Sequence, residues 1–312
     1  MEYLLYATCP DEMTDLLAKE IAVLGGTAIK TGYRVVYFSA TKEVAYKAHL
    51  HLRLANRIGR VLKEIPAQTP NMLFDKAKRI RFHELFSETQ AVSINVFAAN
   101  DGSKIPNDLI GSKLREAIND CFQHYRKTLP NQSSRGASLG ISGFLRRNRL
   151  LVSVDTSFES LHKRGIRLEG HPAPLNETLA AALLAVCGYD GATSFYDPMC
   201  GSGTIVVEAA QIAINRAPRI GRKKGGFGFE YLHDFDPRLW QNIQDQARAL
   251  ERPLKVKIYA SDIEPRYVEI ARNTFRKARL EPLIQLETQD FFKTAKPAEN
   301  GLLITNIPYG LR

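Results

Sequence analysis

The spacing of apolar positions along the chain changes period several times, and each change marks an element. Tyr3 to Ala7 is a short apolar run that predicts a strand. Asp11 to Leu24 places Leu16, Leu17, Ile21 and Leu24 at a helical period, and Gly25 and Gly26 stop that helix. Arg34 to Ser39 contains the β-rich run Val35-Val36-Tyr37-Phe38 and predicts a strand. Glu43 to Leu62 sets Ala45, Ala48, Leu52, Ala55 and Ile58 near one stripe, which predicts a second helix. Together these segments form a small α+β unit ending near Pro66.

A second unit follows. Asn71 to Ile80 is helical in pattern, and Ala91 to Ala98 alternates around Val92, Ile94 and Val96 as a strand does. Asp108 to Arg126 predicts a helix with Leu109, Leu114, Ile118 and Phe122 on its apolar side. Pro130 to Gly136 reads as a polar loop. Leu139 to Phe144 and Arg149 to Asp155 predict two strands, the second with Leu150, Val152 and Val154 at one parity and Leu151 at the other. The turn between them sets Arg146, Arg147 and Arg149 at one loop tip, a chemistry suited to phosphates.

From about residue 165 the pattern becomes β-α repeated. Pro172 to Asn176 is a loop and Glu177 to Val186 a strong helix former. Strands are predicted at Ser194 to Tyr196, Val256 to Ala260, Ile284 to Thr288 and Leu302 to Thr305. Helices are predicted at Ile205 to Asn215, Trp240 to Leu250 and Arg266 to Ala278, with a Gly- and Lys-rich loop from Pro218 to Gly228. This order predicts a doubly wound α/β sheet.

Composition narrows the class. The chain has 312 residues, 44% of them hydrophobic, enough for a sizeable core and two or three domains. Its formal net charge of +10 favours a polyanionic partner such as nucleic acid. Neither end supplies the charge alone: residues 1–160 hold 22 basic and 16 acidic side chains, and the remainder 21 and 17. Further basic clusters are Lys163-Arg164, Arg222-Lys223-Lys224, and Arg272, Arg276 and Arg279 along one helix face. Each could equally be a solvated surface. The cysteines at 9, 121, 187 and 200 form no CxxC pair, which argues against a zinc ribbon or a disulfide scaffold and fits a reducing cytosol. No run of 18 apolar residues predicts a membrane span, and Met1 to Asp15 lacks the basic start of a signal peptide.

The chemistry concentrates at strand ends. Gly201-Ser202-Gly203 sits between a strand and a helix, where glycines admit positive φ and close approach of a ligand. No Gly-Lys-Ser/Thr follows, so it is not a P-loop, and Val206 stands where a dinucleotide fingerprint has its third glycine. A purely structural turn uses the same two glycines. Asp262, past the next strand, can accept both hydroxyls of a ribose or simply cap a helix. Asp290, past the strand after that, can accept from an adenine amine with Phe291 beside the ring, or again cap. Three such strand ends in succession predict an adenosine-containing cofactor. At the last strand end, the Asn306 side-chain oxygen and the Ile307 carbonyl can take both hydrogens of an exocyclic amine. Pro308 stiffens the peptide and Tyr309 can stack on a base. An ordinary strand and turn remains the other reading.

These motifs resemble a family. Asp197-Pro198-Met199-Cys200-Gly201-Ser202-Gly203-Thr204 is similar to the S-adenosylmethionine motif of the THUMP-containing RNA guanine-N2 methyltransferases, most of all the bacterial 23S rRNA enzymes. Ser160 to Gly165, Ala173 to Ala180 and Ala7-Thr8-Cys9-Pro10 match as well. The resemblance implies a ferredoxin-like domain over 1–65, a THUMP RNA-binding domain over 66–160 and a Rossmann-like methyltransferase over 161–312. It implies methyl transfer from S-adenosylmethionine to the N2 amine of a guanine in 23S rRNA, in the cytoplasm, without a metal or a membrane. By family position, Asp197, Pro198, Cys200, Gly201, Ser202, Gly203 and Thr204 surround the cofactor's methionine end. Asp262 serves its ribose and Asp290 and Phe291 its adenine, with Ile263 also in the cofactor site. Asn306, Ile307, Pro308 and Tyr309 hold the base, and Arg146, Arg147, Arg149, Lys163 and Arg164 meet RNA. The family usually shows Asn-Pro-Pro-Tyr, and Ile307 is a departure that related tRNA enzymes tolerate. A tRNA guanine is therefore one alternative, and a non-catalytic RNA-binding or ribosome-assembly factor another. The family's catalytic sheet has seven strands and the base-holding motif follows the fourth. The resemblance thus implies a sheet truncated by Arg312 and a span of poor stability.

Overall fold

The computed structural model describes residues 2–99, 105–131, 139–164 and 175–307. The first unit runs β1 (Glu2–Thr8), α1 (Thr14–Val23), β2 (Thr27–Gly32), β3 (Val35–Thr41), α2 (Lys42–His51) and β4 (Arg57–Pro66). Its strands lie in the order β2-β3-β1-β4, all antiparallel. This is the βαββαβ arrangement of a ferredoxin-like sheet.

The helix expected over Glu43 to Leu62 is corrected. α2 stops at His51, where Leu52 turns to ψ 113, and residues 57–62 belong to β4. The stripe is real in burial, because Ala45, Ala48, Leu52, Ala55 and Ile58 are all buried. Two elements and the connector between them supply it. The connector is held from outside: the Glu20 carboxylate of α1 accepts from Arg53 and Leu54 N–H at 3.3 and 3.1 Å, and Asn56 N–H donates to the Thr8 carbonyl at 2.7 Å. Those remote acceptors satisfy backbone donors that would otherwise call for helix. Strand β2, Thr27–Gly32, had no apolar alternation to announce it, and none of its residues is buried.

The second unit adds α3 (Pro70–Ala77), β5 (Val92–Ala98), α4 (Asn107–Arg126), β6 (Leu139–Arg146) and β7 (Arg149–Asp155). β7 pairs antiparallel with β4, so seven strands make one sheet, β2-β3-β1-β4-β7-β6-β5. Thr69 caps α3 by accepting from Met72 N–H, with Pro70 in the first turn. On α4, Leu114, Ile118 and Phe122 are buried as expected, but Ile110 rather than Leu109 completes the stripe. β6 and β7 join through Arg147 and Asn148 at φ 48 and 57, the two-residue turn whose twist matches a hairpin.

The remainder runs α5 (Glu177–Val186), β8 (Phe195–Asp197), α6 (Thr204–Ala213), α7 (Pro237–Ala249), β9 (Ile258–Asp262), α8 (Pro265–Ala278), β10 (Ile284–Thr288) and β11 (Leu302–Leu303). Its four strands are all parallel in the order β10-β9-β8-β11. The order reverses between β8 and β11, and open α/β sheets bind ligands at such a switch point. A core of Phe195, Val206, Ala209, Ile258, Ala271 and Phe275 packs α6 and α8 on the sheet.

The cores do not follow chain order. Ala217, Phe227, Phe229, Leu232, Trp240, Ile243 and Ala247 belong to the core of the N-terminal sheet rather than to that of the parallel one. Phe229 stacks on Tyr46 at 4.6 Å between centroids, and Asp234 accepts from Tyr3 Oη at 2.8 Å and pairs with Arg60 at 2.6 Å. The segment around α7 thus clasps the first module. No described helix is long and apolar enough to cross a membrane. Among the described residues no three His, Cys, Asp or Glu side chains gather as a metal site.

Candidate active site

β8 delivers Asp197 to the switch point, where it is buried to 1% exposure. Its carboxylate accepts from Met199 N–H at 3.2 Å. Burial pushes its pKa up to about 7; the Thr305 hydroxyl and the Met199 N–H pull it down, and the charge of Asp262 pushes it up again. The turn that follows is tied to β9. Cys200 N–H donates to the Ser261 carbonyl at 2.9 Å and Gly201 N–H to Asp262 Oδ2 at 2.9 Å. Tyr196 Oη and Ser261 Oγ lie 2.8 Å apart, and Ser202 Oγ meets Thr204 Oγ1 at 3.2 Å. Gly203 has φ +80, and a Cβ there would stand 2.4 Å from Phe275 Cε1. Only glycine lets α6 start so close to α8.

β9 runs two residues further than its apolar run predicts, so Asp262 ends the strand itself. Its Oδ1 accepts from Glu264 N–H at 3.0 Å, while Oδ2 holds Gly201. A carboxylate has about four lone-pair sites, so Asp262 keeps acceptor capacity for a diol. Ile263, beside it, is 61% exposed, an apolar wall open to solvent. Asp290 caps a single 3-10 turn, accepting from Phe292 N–H at 3.0 Å, and its other oxygen is 3.4 Å from Lys293 Nζ. Phe291 is half-buried. It lines a concavity of about 400 Å³ with Phe195, Tyr259, Pro297 and Leu302. No residue of the glycine turn lines that concavity; Ser202 and Thr204 line a smaller one with Arg164 and Glu208.

β11 lies parallel to β8 and leads to Thr305, whose hydroxyl meets Asp197. Asn306 and Ile307 follow at the surface. Glycine turn, acidic pair and Asn306 therefore converge on one edge. Pro308 and Tyr309 lie outside the described residues, as do parts of the loops expected at Pro130 to Gly136 and Pro172 to Asn176.

Residues 164–312 match the model of the RMKL-like methyltransferase domain, and residues 4–59 that of the RlmL ferredoxin-like domain. A possible methylase from Clostridium difficile 630 is 30% identical, with a TM-score of 0.89 over 100% of this chain and 82% of that one. SMU.472, complexed with S-adenosylhomocysteine, is 30% identical with a TM-score of 0.90 over 100% and 81%. The chain belongs to the methyltransferase family of these two structures, and its residues 164–312 are RMKL-like. The ribosomal RNA large subunit methyltransferase K/L of Vibrio campbellii is 35% identical over 98% of the chain. The chain spans 44% of that relative's length.

S-adenosylmethionine is the cofactor of this methyltransferase fold. The residues present fit it: a glycine cradle that a Cβ would fill, a buried acid for a cationic end, and a half-used carboxylate for a ribose.

Behind the site this methyltransferase-family chain holds charges that sequence reading placed elsewhere or missed. Arg164, expected to face RNA, is corrected: its side chain is 1% exposed. It donates to Glu208 at 3.0 Å and to the carbonyls of Leu161 and Arg53. Buried, with all three nitrogens bonded inside, it is out of reach of a phosphate. Glu208, on α6 one turn past Thr204, also pairs with Arg53 at 2.8 Å. Burial pushes the Glu208 carboxyl up, but Arg164 and Arg53 outweigh it and hold the pKa below the usual value. Arg219 is fully buried and donates to the carbonyls of His49, Leu52 and Leu161. The available signal was a Glu and a Gln within the apolar run Ile205 to Asn215. Lys163 stays exposed, Arg146 is exposed, and Arg149 pairs with Glu64 at 2.6 Å at the surface.

Proposed function

We propose that this chain carries the cofactor-binding and RNA-docking machinery of a methyltransferase acting on the N2 amine of a guanine in large-subunit rRNA. The observation that supports it best is the convergence of Asp197, the Gly201–Asp262 bond and the Thr305–Asn306 strand end at the switch point. When bound, S-adenosylmethionine supplies a methyl group on a sulfonium. Asp197 and the turn from Pro198 to Thr204 hold its methionine end, Asp262 its ribose, and Asp290 with Ile263 and Phe291 its adenine.

The chain's own part is binding and orientation. The Asn306 oxygen and the Ile307 carbonyl accept the two amine hydrogens and aim the nitrogen lone pair at the methyl. Tyr309 stacks on the base, which must leave its helix to reach the edge. Residues 1–65, 66–160 and 161–312 are the ferredoxin-like, THUMP and methyltransferase units of this reading. Arg146, Arg147, Arg149 and Lys163 meet RNA phosphates. A cytoplasmic enzyme of rRNA processing follows from it.

The test is methyl transfer from labelled cofactor to rRNA and tRNA lacking the modification, with nucleoside mass spectrometry. N2-methylguanine in large-subunit rRNA is expected. Ile307 favours a second reading, a tRNA guanine, and label confined to tRNA would establish it. RNA binding without any transfer would leave a non-catalytic factor.

A further inference from the structure

The loop from Arg222 to Phe227 is built with more care than a solvated connector needs. Glu230 accepts from Gly225 N–H at 2.9 Å and from Phe227 N–H at 3.0 Å, so both its oxygens brace the loop backbone. Tyr231 Oη donates to the Gly225 carbonyl at 2.9 Å, and Gly226 N–H to that of Lys223 at 3.0 Å. Gly225 has φ +73, and a Cβ on Gly226 would stand 2.7 Å from the Lys223 carbonyl, so the Gly-Gly pair is required.

The N-terminal module anchors the loop. Arg222 donates to the Glu159 carbonyl at 3.2 Å and lies over the Phe227 ring, 4.7 Å from its centroid. Phe227 itself sits in the N-terminal core. Arg222 N–H donates to the Arg219 carbonyl, and Arg219 in turn donates to Leu161, two residues before exposed Lys163.

At the tip of this braced backbone stand Lys223 and Lys224, both exposed. Lys47, Lys78 and Lys113 pair with carboxylates on their own helices. Among the described residues no such partner meets Lys223 or Lys224. The carboxylates facing the loop are engaged: Glu230 braces the backbone, Asp155 pairs with Arg57, and exposed Glu159 stands against Arg222. A pre-ordered turn spares the cost of ordering its backbone when its two ammonium groups meet a phosphate backbone.

We propose that this loop is an RNA backbone contact at the joint of the two modules, made by Lys223 and Lys224. It rests on the RNA reading above. Sequence-independent contact of this kind sets the RNA against the joint, while base recognition stays at the strand-end edge.

The test compares the full chain with its Lys223→Gln/Lys224→Gln and Tyr231→Phe forms, measuring affinity for a large-subunit rRNA fragment from 0.05 to 0.3 M salt. Each lost phosphate contact lowers the slope of log K against log salt by ~0.7–0.9. The double variant should therefore lose ~1.4–1.8 in slope and about 25- to 60-fold in affinity at 0.1 M salt. S-adenosylhomocysteine binding and the melting temperature should stay unchanged. Tyr231→Phe, which removes the hydroxyl brace on the Gly225 carbonyl and keeps every charge, should lower affinity with the slope preserved. Wild-type binding matched by the double variant would overturn this loop alone. Absence of RNA binding by the wild type would overturn the RNA reading and the loop with it. Unchanged RNA affinity with lost binding to polyglutamate would assign the loop to an acidic protein surface instead.

Discussion

Asp197 has the most altered chemistry in the candidate site. With its pKa at about 7, it is largely protonated below neutral pH. A cationic cofactor end favours the ionised form, so binding should expel a proton. Affinity for S-adenosylhomocysteine is expected to fall about tenfold from pH 8 to pH 6. Calorimetry in buffers of different ionisation enthalpy would show the proton, and Asp197→Asn should abolish both effects. The same shift acts on folding with a fixed sign. A raised carboxyl pKa gives stability that is fully present below the unfolded value of ~3.9 and is lost as pH rises through about 7. At the other carboxylate and at the strand end the roles divide. Asp262→Ala strips the acceptor from two backbone N–H groups, at a cost of roughly 1–3 kcal/mol, and should weaken cofactor binding first. Asn306→Ala should spare cofactor affinity and remove most turnover. Equal loss of both by either variant would refute that division.

Among elements, α6 joins cofactor turn to buried charge. Its first residue follows Gly203, and one turn later Glu208 bridges Arg53 and Arg164. Breaking a buried pair leaves charge without compensation, so Glu208→Gln should cost about 3–5 kcal/mol in denaturant titrations. Lys47→Ala, removing a surface pair, should cost under ~1 kcal/mol. The depressed Glu208 pKa gives stability present above the unfolded value and lost as pH falls through the folded one. The sequence announced elements whose signal is local. The helical stripes of α1 and α4, the β-α order and the Gly201–Gly203 turn were all legible. The break at Leu52 was not, because the acceptor that stabilises it is Glu20, more than thirty residues away. Arg164 read as a surface cation for the same reason: its partner Glu208 is 44 residues on, inside an apolar run.

At the scale of the molecule, chain order and core order differ. Residues around α7 complete the N-terminal core while their chain neighbours build the parallel sheet. The buried set of Arg53, Arg164, Glu208 and Arg219 lies between the two. Two modules joined in this way should melt together, and a single calorimetric transition with equal van't Hoff and calorimetric enthalpies is expected. Two resolved transitions would show that the clasp is weaker than its packing implies.

The clasp also bears on how the chain can be divided. Phe227, Phe229 and Trp240 fill the core of strands that precede residue 156. A polypeptide ending at Arg164 would expose the cavity those rings occupy, and one starting at Gly165 would present the rings to water. Supplied together, the two pieces have a shared apolar surface and matched buried charges. They should reassociate as fragments of a single fold do, each acting as chaperone for the other's exposed face.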